Sequence, residues 1–308
     1  MGLLVDGKWH DKWYDTSTSG GRFVRNDAQF RHHIGTHTDF PVEAGRYHLY
    51  VSLACPWAHR TLLFRALKGL QEVISVSGVQ ALMLQHGWVL SADDPGPVAG
   101  ITHMHQVYTA SEPTYSGRVT VPVLWDKVQG RIVNNESSEI IRMFNGPLAT
   151  LATDGDGIDS YPEALRDEID VVNARVYETV NNGVYRAGFA TTQQAYDEAV
   201  VALFDTLEWL ESRLVGREFL VGHGPTEADW RLFTTLVRFD AIYHGHFKCN
   251  RKRIADYPNL TALMRRLLAI PGVRDTIDLA HAHRHYYGSH ESVNPHRIIP
   301  IGPSLALP

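Results

Sequence analysis

At 308 residues, 44% apolar and 20% charged, the chain has the length of two domains and the composition of an ordinary globular protein. A formal charge of −5 gives no electrostatic basis for holding nucleic acid or an anionic membrane, and no apolar run reaches a membrane span of ~20 residues or the core of a signal peptide. Two cysteines, Cys55 and Cys249, are too few for a disulfide scaffold and point to a reducing, cytoplasmic setting.

Residues 1–46 are polar and rich in Gly, Thr and His. They read as an irregular arm broken at Gly20-Gly21 and anchored by Phe23 and Phe30. A first strand is expected over 47–53, with Tyr47, Leu49 and Val51 alternating against His48, Tyr50 and Ser52. It runs into Cys55-Pro56. Proline suits the first helical position because its φ is preset and its missing N–H would be unpaired there. Cys55 is therefore the expected N-cap of a helix carrying Leu62, Leu63, Ala66, Leu67 and Leu70 at helical spacing. A thiol at the positive end of a helix dipole is made acidic, from about 8.5 into a range of roughly 3.5 to 7.5. A second strand over 73–79 completes a βαβ unit, which favours a parallel pair.

Residues 80–117 read as one long loop around Pro95, Gly96, Pro97 and Gly100. Trp88 stands in it, read either as packing on its own domain or as covering a site. A strand over 119–126 contains Pro122. Proline within a strand marks an edge, a start or a bulge, and a cis Val121-Pro122 bond would turn the Val121 backbone toward a ligand. A hairpin partner at 131–133 follows the turn at Gln129-Gly130, and a helix opens at 135–139. The order β-α-β then β-β-α is thioredoxin-like.

Residues 155–160 read as a linker, and the pattern then becomes purely helical. Helices are expected over 162–182, from a Thr191/Gln194 capping box to Gly216, and from a Thr226/Asp229 box through Ile242. Two more are expected over 258–268 and 273–285. The domains expected are an arm (1–46), a thioredoxin-like α/β domain (47–154), an all-α domain (161–290) and an extended tail (291–308). Five histidines, His244, His246, His281, His283 and His285, lack the cysteine or carboxylate partners that a zinc set needs, so no metal is expected.

Several stretches carry a resemblance together. They are Cys55-Pro56-Trp57-Ala58-His59-Arg60, Gly87-Trp88, Gly117-Arg118 through Trp125-Asp126, and Asn134-Asn135-Glu136-Ser137-Ser138-Glu139. In the helical half they are Asn181-Asn182-Gly183-Val184-Tyr185-Arg186, Ala228-Asp229-Trp230, Tyr243-His244-Gly245-His246-Phe247 and His285-Tyr286-Tyr287-Gly288. The chain resembles the glutathionyl-hydroquinone reductases, the omega-like Xi class of glutathione transferases, from about residue 22 to the tail.

That resemblance implies the glutathione S-transferase fold, a thioredoxin-like α/β domain followed by an all-α domain, and a homodimer. It implies glutathione as co-substrate and a glutathionyl-hydroquinone as substrate. Cys55 is then the nucleophile; Ala58 stands where a resolving cysteine would, so an external thiol must finish the reaction. Glutathione would be held by the Val121 backbone beside Pro122, by Glu136 on its amine, by Ser137 and the following helix start on its carboxylate, and by Trp88 and Arg118. Tyr185 and Tyr286 would serve catalysis and bind the ring, with Tyr287 beside them. Cys249 reads as a buried, small apolar residue. A broader omega-like thiol transferase, acting on dehydroascorbate or mixed disulfides, would share Cys55 and the glutathione site. A non-catalytic binding protein of the same fold would have no use for an acidic thiol.

Overall fold

The computed structural model describes residues 2–152, 155, 157–303 and 307. It divides into two compact units. One comprises Met1–Trp13, Asn26–Ile158 and Asp275–His281; the other comprises Tyr14–Arg25, Asp159–Arg274 and Ala282–Pro308. The expected arm is thus shared between the units. Part of the expected linker, and the end of the tail, lie outside the described residues.

The first unit holds strands β1 (Leu3–Val5), β2 (Lys8–His10), β3 (Tyr47–Val51), β4 (Ser75–Leu84), β5 (Gly87–Leu90), β6 (Gly117–Arg118), β7 (Val123–Asp126) and β8 (Arg131–Asn134). Its helices are α1 (Pro56–Leu67), α2 (Met104–Ser111) and α3 (Ser137–Asn145). The main sheet runs β5-β4-β3-β7-β8. β3 and β4 are parallel, whereas β7 is antiparallel to both β3 and β8, so the βαβ and hairpin expectations hold. All of β3 is buried, His48 and Tyr50 included, so no polar face alternates along it. A central strand covered on both faces leaves the period-2 signal nothing to report.

Two expectations fail in this unit. Residues 3–10 form a hairpin, and β1 pairs with β6 to make a second small sheet. Residues 80–117 are not one loop. β4 continues to Leu84, returns as β5 across a register shift, and α2 follows. The Gln106 carboxamide accepts from the amides of Thr102 and His103 and so fixes the start of α2.

The second unit is helical: α4 (Arg166–Val176), α5 (Gly183–Gly188), α6 (Gln193–Arg213), α7 (Glu227–Arg238), α8 (His244–His246), α9 (Pro258–Leu268) and, from Ala282 on, α10 (Leu279–Ser289). The last helix starts six residues later than expected, after a short 3₁₀ turn at Arg274–Thr276. The helix expected over 162–182 runs on to Gly188 through a π-turn at Tyr177–Asn181, where Asn182 N–H reaches back to Tyr177 O. A second π-turn, Phe239–Tyr243, extends α7 into α8. The α6 cap is Thr192, whose hydroxyl accepts from Ala195 N–H; the expected Thr191 instead meets Thr16. At α7 the expected box is present. Asp229 accepts from Thr226 N–H and Oγ1 and from Leu220 N–H, a structural role. Burial raises its carboxyl to about 6.

Candidate active site

Cys55 is the N-cap of α1, with Pro56 at the first helical position, as the local sequence demands. Its amide donates to Ser52 O and its carbonyl accepts from His59 N–H, so the strand-to-helix turn is fixed on both sides. The half-buried Sγ lies 3.5 Å from Val121 O, the acceptor for the protonated thiol. The Val121-Pro122 bond is cis, and both residues are buried. The open end of α1 favours negative charge at this sulfur.

The start of α3 is built more elaborately. Glu136 is its N-cap, and Oε1 accepts from Ser138 N–H at 2.9 Å and from Ser138 Oγ at 2.8 Å. Asn134 accepts from Glu136 N–H, and Asn135 bonds both Phe30 N–H and the Tyr108 hydroxyl. Arg31 forks onto Glu139. Residues 30–31 of the arm therefore clamp this turn. Ser137 is buried, and its Oγ accepts from Arg60 Nη1 at 3.5 Å. Arg60 itself is 1% exposed and lies over the Trp57 ring at 4.5 Å.

The structure thus brings Cys55 to Val121, and ties Ser137 to α1 through Arg60. Trp88 and Arg118 belong to a different setting, the N-terminal hairpin. Trp88 is buried on β5, next to Gly87, against which the Trp9 ring packs. Arg118 lies on β6 and donates to Lys12 O at 2.5 Å and to Trp13 O at 3.2 Å. Asn134, Asn135 and Arg60 were not singled out from the sequence. All three fall within stretches that carried the resemblance, which was the available signal.

In the helical unit, Tyr185 on α5 and Tyr286 on α10 meet, with their hydroxyl oxygens 2.5 Å apart. A residue that the sequence did not single out joins them. Tyr243 Oη lies 3.1 Å from Tyr286 Oη. Burial, then the two neighbouring phenols, pushes the Tyr286 hydroxyl well above its ordinary pKa. Tyr287 does not join this group. One residue on along the helix it turns about 100° away, toward Gly245 and the rings of His246 and His283.

Cys249 is fully buried, and burial pushes its thiol far up. It lies beyond the end of α8 rather than on a helix. Neither cysteine is in a disulfide. Among the described residues no three His, Cys, Asp or Glu side chains are grouped to hold a metal ion. No helix of the described residues is long and apolar enough to cross a membrane.

Residues 54–146 match the glutathione S-transferase N-terminal domain, and residues 193–266 match the C-terminal domain. Over its whole length the chain is 61% identical to glutathionyl-hydroquinone reductase PcpF of Sphingobium chlorophenolicum, covering 98% of that protein. Its structure is similar to that of the glutathione-S-transferase Xi from Phanerochaete chrysosporium. The TM-score is 0.90 at 52% identity, over 92% of this chain and 94% of that one. It is also similar to the glutathione-bound structure of YqjG from Escherichia coli K-12. There the TM-score is 0.89 at 47% identity, over 99% of this chain and 97% of that one.

Proposed function

The chain belongs to the glutathionyl-hydroquinone reductases of the glutathione S-transferase family, and from that premise we propose that it reduces S-glutathionyl-hydroquinones to hydroquinones through Cys55. Glutathione is its co-substrate. The observation that carries the reading is the Cys55 sulfur at the N-terminus of α1, half-buried and facing Val121 O.

The Cys55 thiolate attacks the conjugate's sulfur. A sulfur–sulfur bond forms, the carbon–sulfur bond breaks, and its electron pair passes to the ring carbon, which takes up a proton. Hydroquinone leaves and Cys55 remains joined to glutathione. A second glutathione attacks this mixed disulfide, leaves as oxidised glutathione and restores the thiolate, so the kinetics are ping-pong. The Val121 backbone beside Pro122 holds the cysteinyl part of glutathione, with Trp88 and Arg118 along the tripeptide. Glu136 takes its amine, while Ser137 and the start of α3 take its γ-glutamyl carboxylate. Tyr185 and Tyr286 hydrogen-bond the ring hydroxyls and one supplies the proton to carbon.

A homodimer in the cytoplasm belongs to the same proposal, supported by the family and by two cysteines outside any disulfide. The test is mass spectrometry after mixing the enzyme with one equivalent of a glutathionyl-hydroquinone and no added glutathione. The expected result is a glutathione adduct on Cys55 with one equivalent of hydroquinone released. Hydroquinone release with no adduct at Cys55 overturns the reading.

A further inference from the structure

The two halves of the proposed glutathione site lie at the open end of one hairpin. Val121-Pro122 precedes β7, and Glu136-Ser137 follows β8. The β7–β8 ladder ends at the Leu124–Asn134 pair, and its register shifts between Leu124 and Trp125. Ladder bonds between these strands therefore stop short of both halves and do not set their separation.

α2 bridges this end of the hairpin. Beside the register shift, Ile132 N–H donates to Ser111 Oγ on α2 at 2.9 Å. One turn earlier on the same helix face stands Tyr108, which is fully buried. Its hydroxyl meets both arms. It accepts from Thr120 N–H at 3.2 Å and from Asn135 Nδ2 at 3.1 Å. It lies 3.0 Å from Thr120 O and 3.2 Å from Thr120 Oγ1. Thr120 directly precedes Val121, and Asn135 directly precedes Glu136.

The directions of these bonds follow from the groups themselves. Asn135 Oδ1 accepts from Phe30 N–H at 3.1 Å, so the carboxamide nitrogen is the end that faces Tyr108. A backbone N–H and a carboxamide nitrogen can only donate. They take both lone pairs of the phenol oxygen, and its one proton goes to Thr120. Burial raises the Tyr108 pKa, so that proton is retained. Phe30 and Tyr115 pack on the ring at 5.8 and 5.1 Å and hold the hydroxyl in place.

We propose that Tyr108 is a positioning residue that sets specificity for the γ-glutamyl half of the substrate. It acts through its neighbours: one hydroxyl fixes the Val121 backbone relative to Glu136 and Ser137. A ligand that spans both halves gains from that spacing, and a ligand that reaches only the Val121 half does not. The inference rests on the glutathione contacts proposed above and adds what holds them in register.

The test compares kcat/KM for a glutathionyl-hydroquinone with kcat/KM for the cysteinylglycyl-hydroquinone, which keeps the thioether and lacks the γ-glutamyl group. Tyr108→Phe keeps the ring packing and removes the hydroxyl. The ratio of the two kcat/KM values should fall about tenfold, through KM for the glutathionyl conjugate, because the two halves are no longer held at the right spacing. The cysteinylglycyl conjugate should change less than about twofold, since it uses one half only. Asn135→Ala cuts the link to the α3 arm and leaves the Thr120 bonds; it should lower the ratio as much. The two substitutions together should lower it less than about twofold beyond either alone. A general loss of packing would slow both conjugates alike. An unchanged ratio in either single variant, an equal loss with both conjugates, or additive losses in the double variant overturns the proposal. Glu136→Gln tells the two levels apart. It should lower the ratio by itself, and a wild-type ratio there overturns the placing of the γ-glutamyl group instead.

Discussion

Glu136 Oε1 accepts the Ser138 amide at 2.9 Å, so the carboxylate proposed to hold the glutathione amine also caps α3. The two roles separate by substitution. Glu136→Gln keeps an oxygen for the cap and loses the charge. KM for glutathione should rise roughly tenfold, the loss of about 1.4 kcal/mol from a charge-assisted hydrogen bond, with thermal stability little changed. Glu136→Ala should raise KM similarly and also cost about 1 kcal/mol of stability as the cap is lost. Steady-state kinetics beside thermal melts check both; equal KM values in Glu136→Gln and wild type would remove Glu136 from the binding site.

Cys55→Ala should abolish turnover of glutathionyl-hydroquinones while glutathione still binds, because the proposed contacts of the tripeptide lie on Val121, Glu136 and Ser137. Calorimetry with glutathione and a turnover assay measure the two. Binding lost together with turnover would show that the sulfur anchors glutathione rather than attacking the conjugate.

The Trp9 ring packs against Gly87, whose φ is +75° and where an added Cβ would lie 2.7 Å from Trp9 Cη2. Gly87→Ala faces both backbone strain and this contact. It should destabilise by about 1–3 kcal/mol and raise KM for glutathione, since Trp88 is the next residue on β5. Trp9→Ala should reproduce the KM effect from the other side. Unchanged KM in both variants would leave the hairpin a purely structural cover.

Burial, partly opposed by Asp94 at His48, lowers both His48 and His246 to about 4. Both values lie below the unfolded one, so the stability these neutral rings contribute is present above about pH 6.5 and is lost as pH falls toward 4. Asp229, raised to about 6 by burial, works in the opposite direction and loses stability as pH rises through 6. His105 is lowered to about 4 as well, and His103, His283 and His290 are also lowered by burial, so the histidines outweigh this carboxyl and Tm should fall between pH 7 and pH 4.5. His48→Gln with His246→Gln should flatten that slope; an equally steep slope in the double variant would refute the assignment.

The Cys55 turn was legible because its signals are local: a strand, then Cys-Pro, then helical spacing. The α7 box was legible for the same reason, since Thr226 and Asp229 are three residues apart. The start of α6 slipped by one residue because Thr191 and Thr192 are adjacent and equally able to cap. α2 was hidden behind the Gly- and Pro-rich stretch 95–100, and its start uses His103, which is not among the usual N-cap residues. The N-terminal hairpin was missed because β1 finds its second neighbour, β6, more than a hundred residues later. Tyr243 escaped notice for a related reason. A tyrosine among apolar helical residues reads as core until the chain brings Tyr286 to it.

The two π-turns, Tyr177–Asn181 and Phe239–Tyr243, precede or contain two of the three phenols. Each adds one residue to a helical turn, a phase shift of about 100° for everything downstream. Residue count alone therefore misjudges where Tyr185 and Tyr243 point. Projected on a regular wheel from α4, Tyr185 falls on the wrong spoke. Deleting one residue within Tyr177–Asn181 would restore a uniform helix and swing Tyr185 by that angle away from Tyr286. Such a protein would keep every side chain named here, yet its phenols would be dialled out of register.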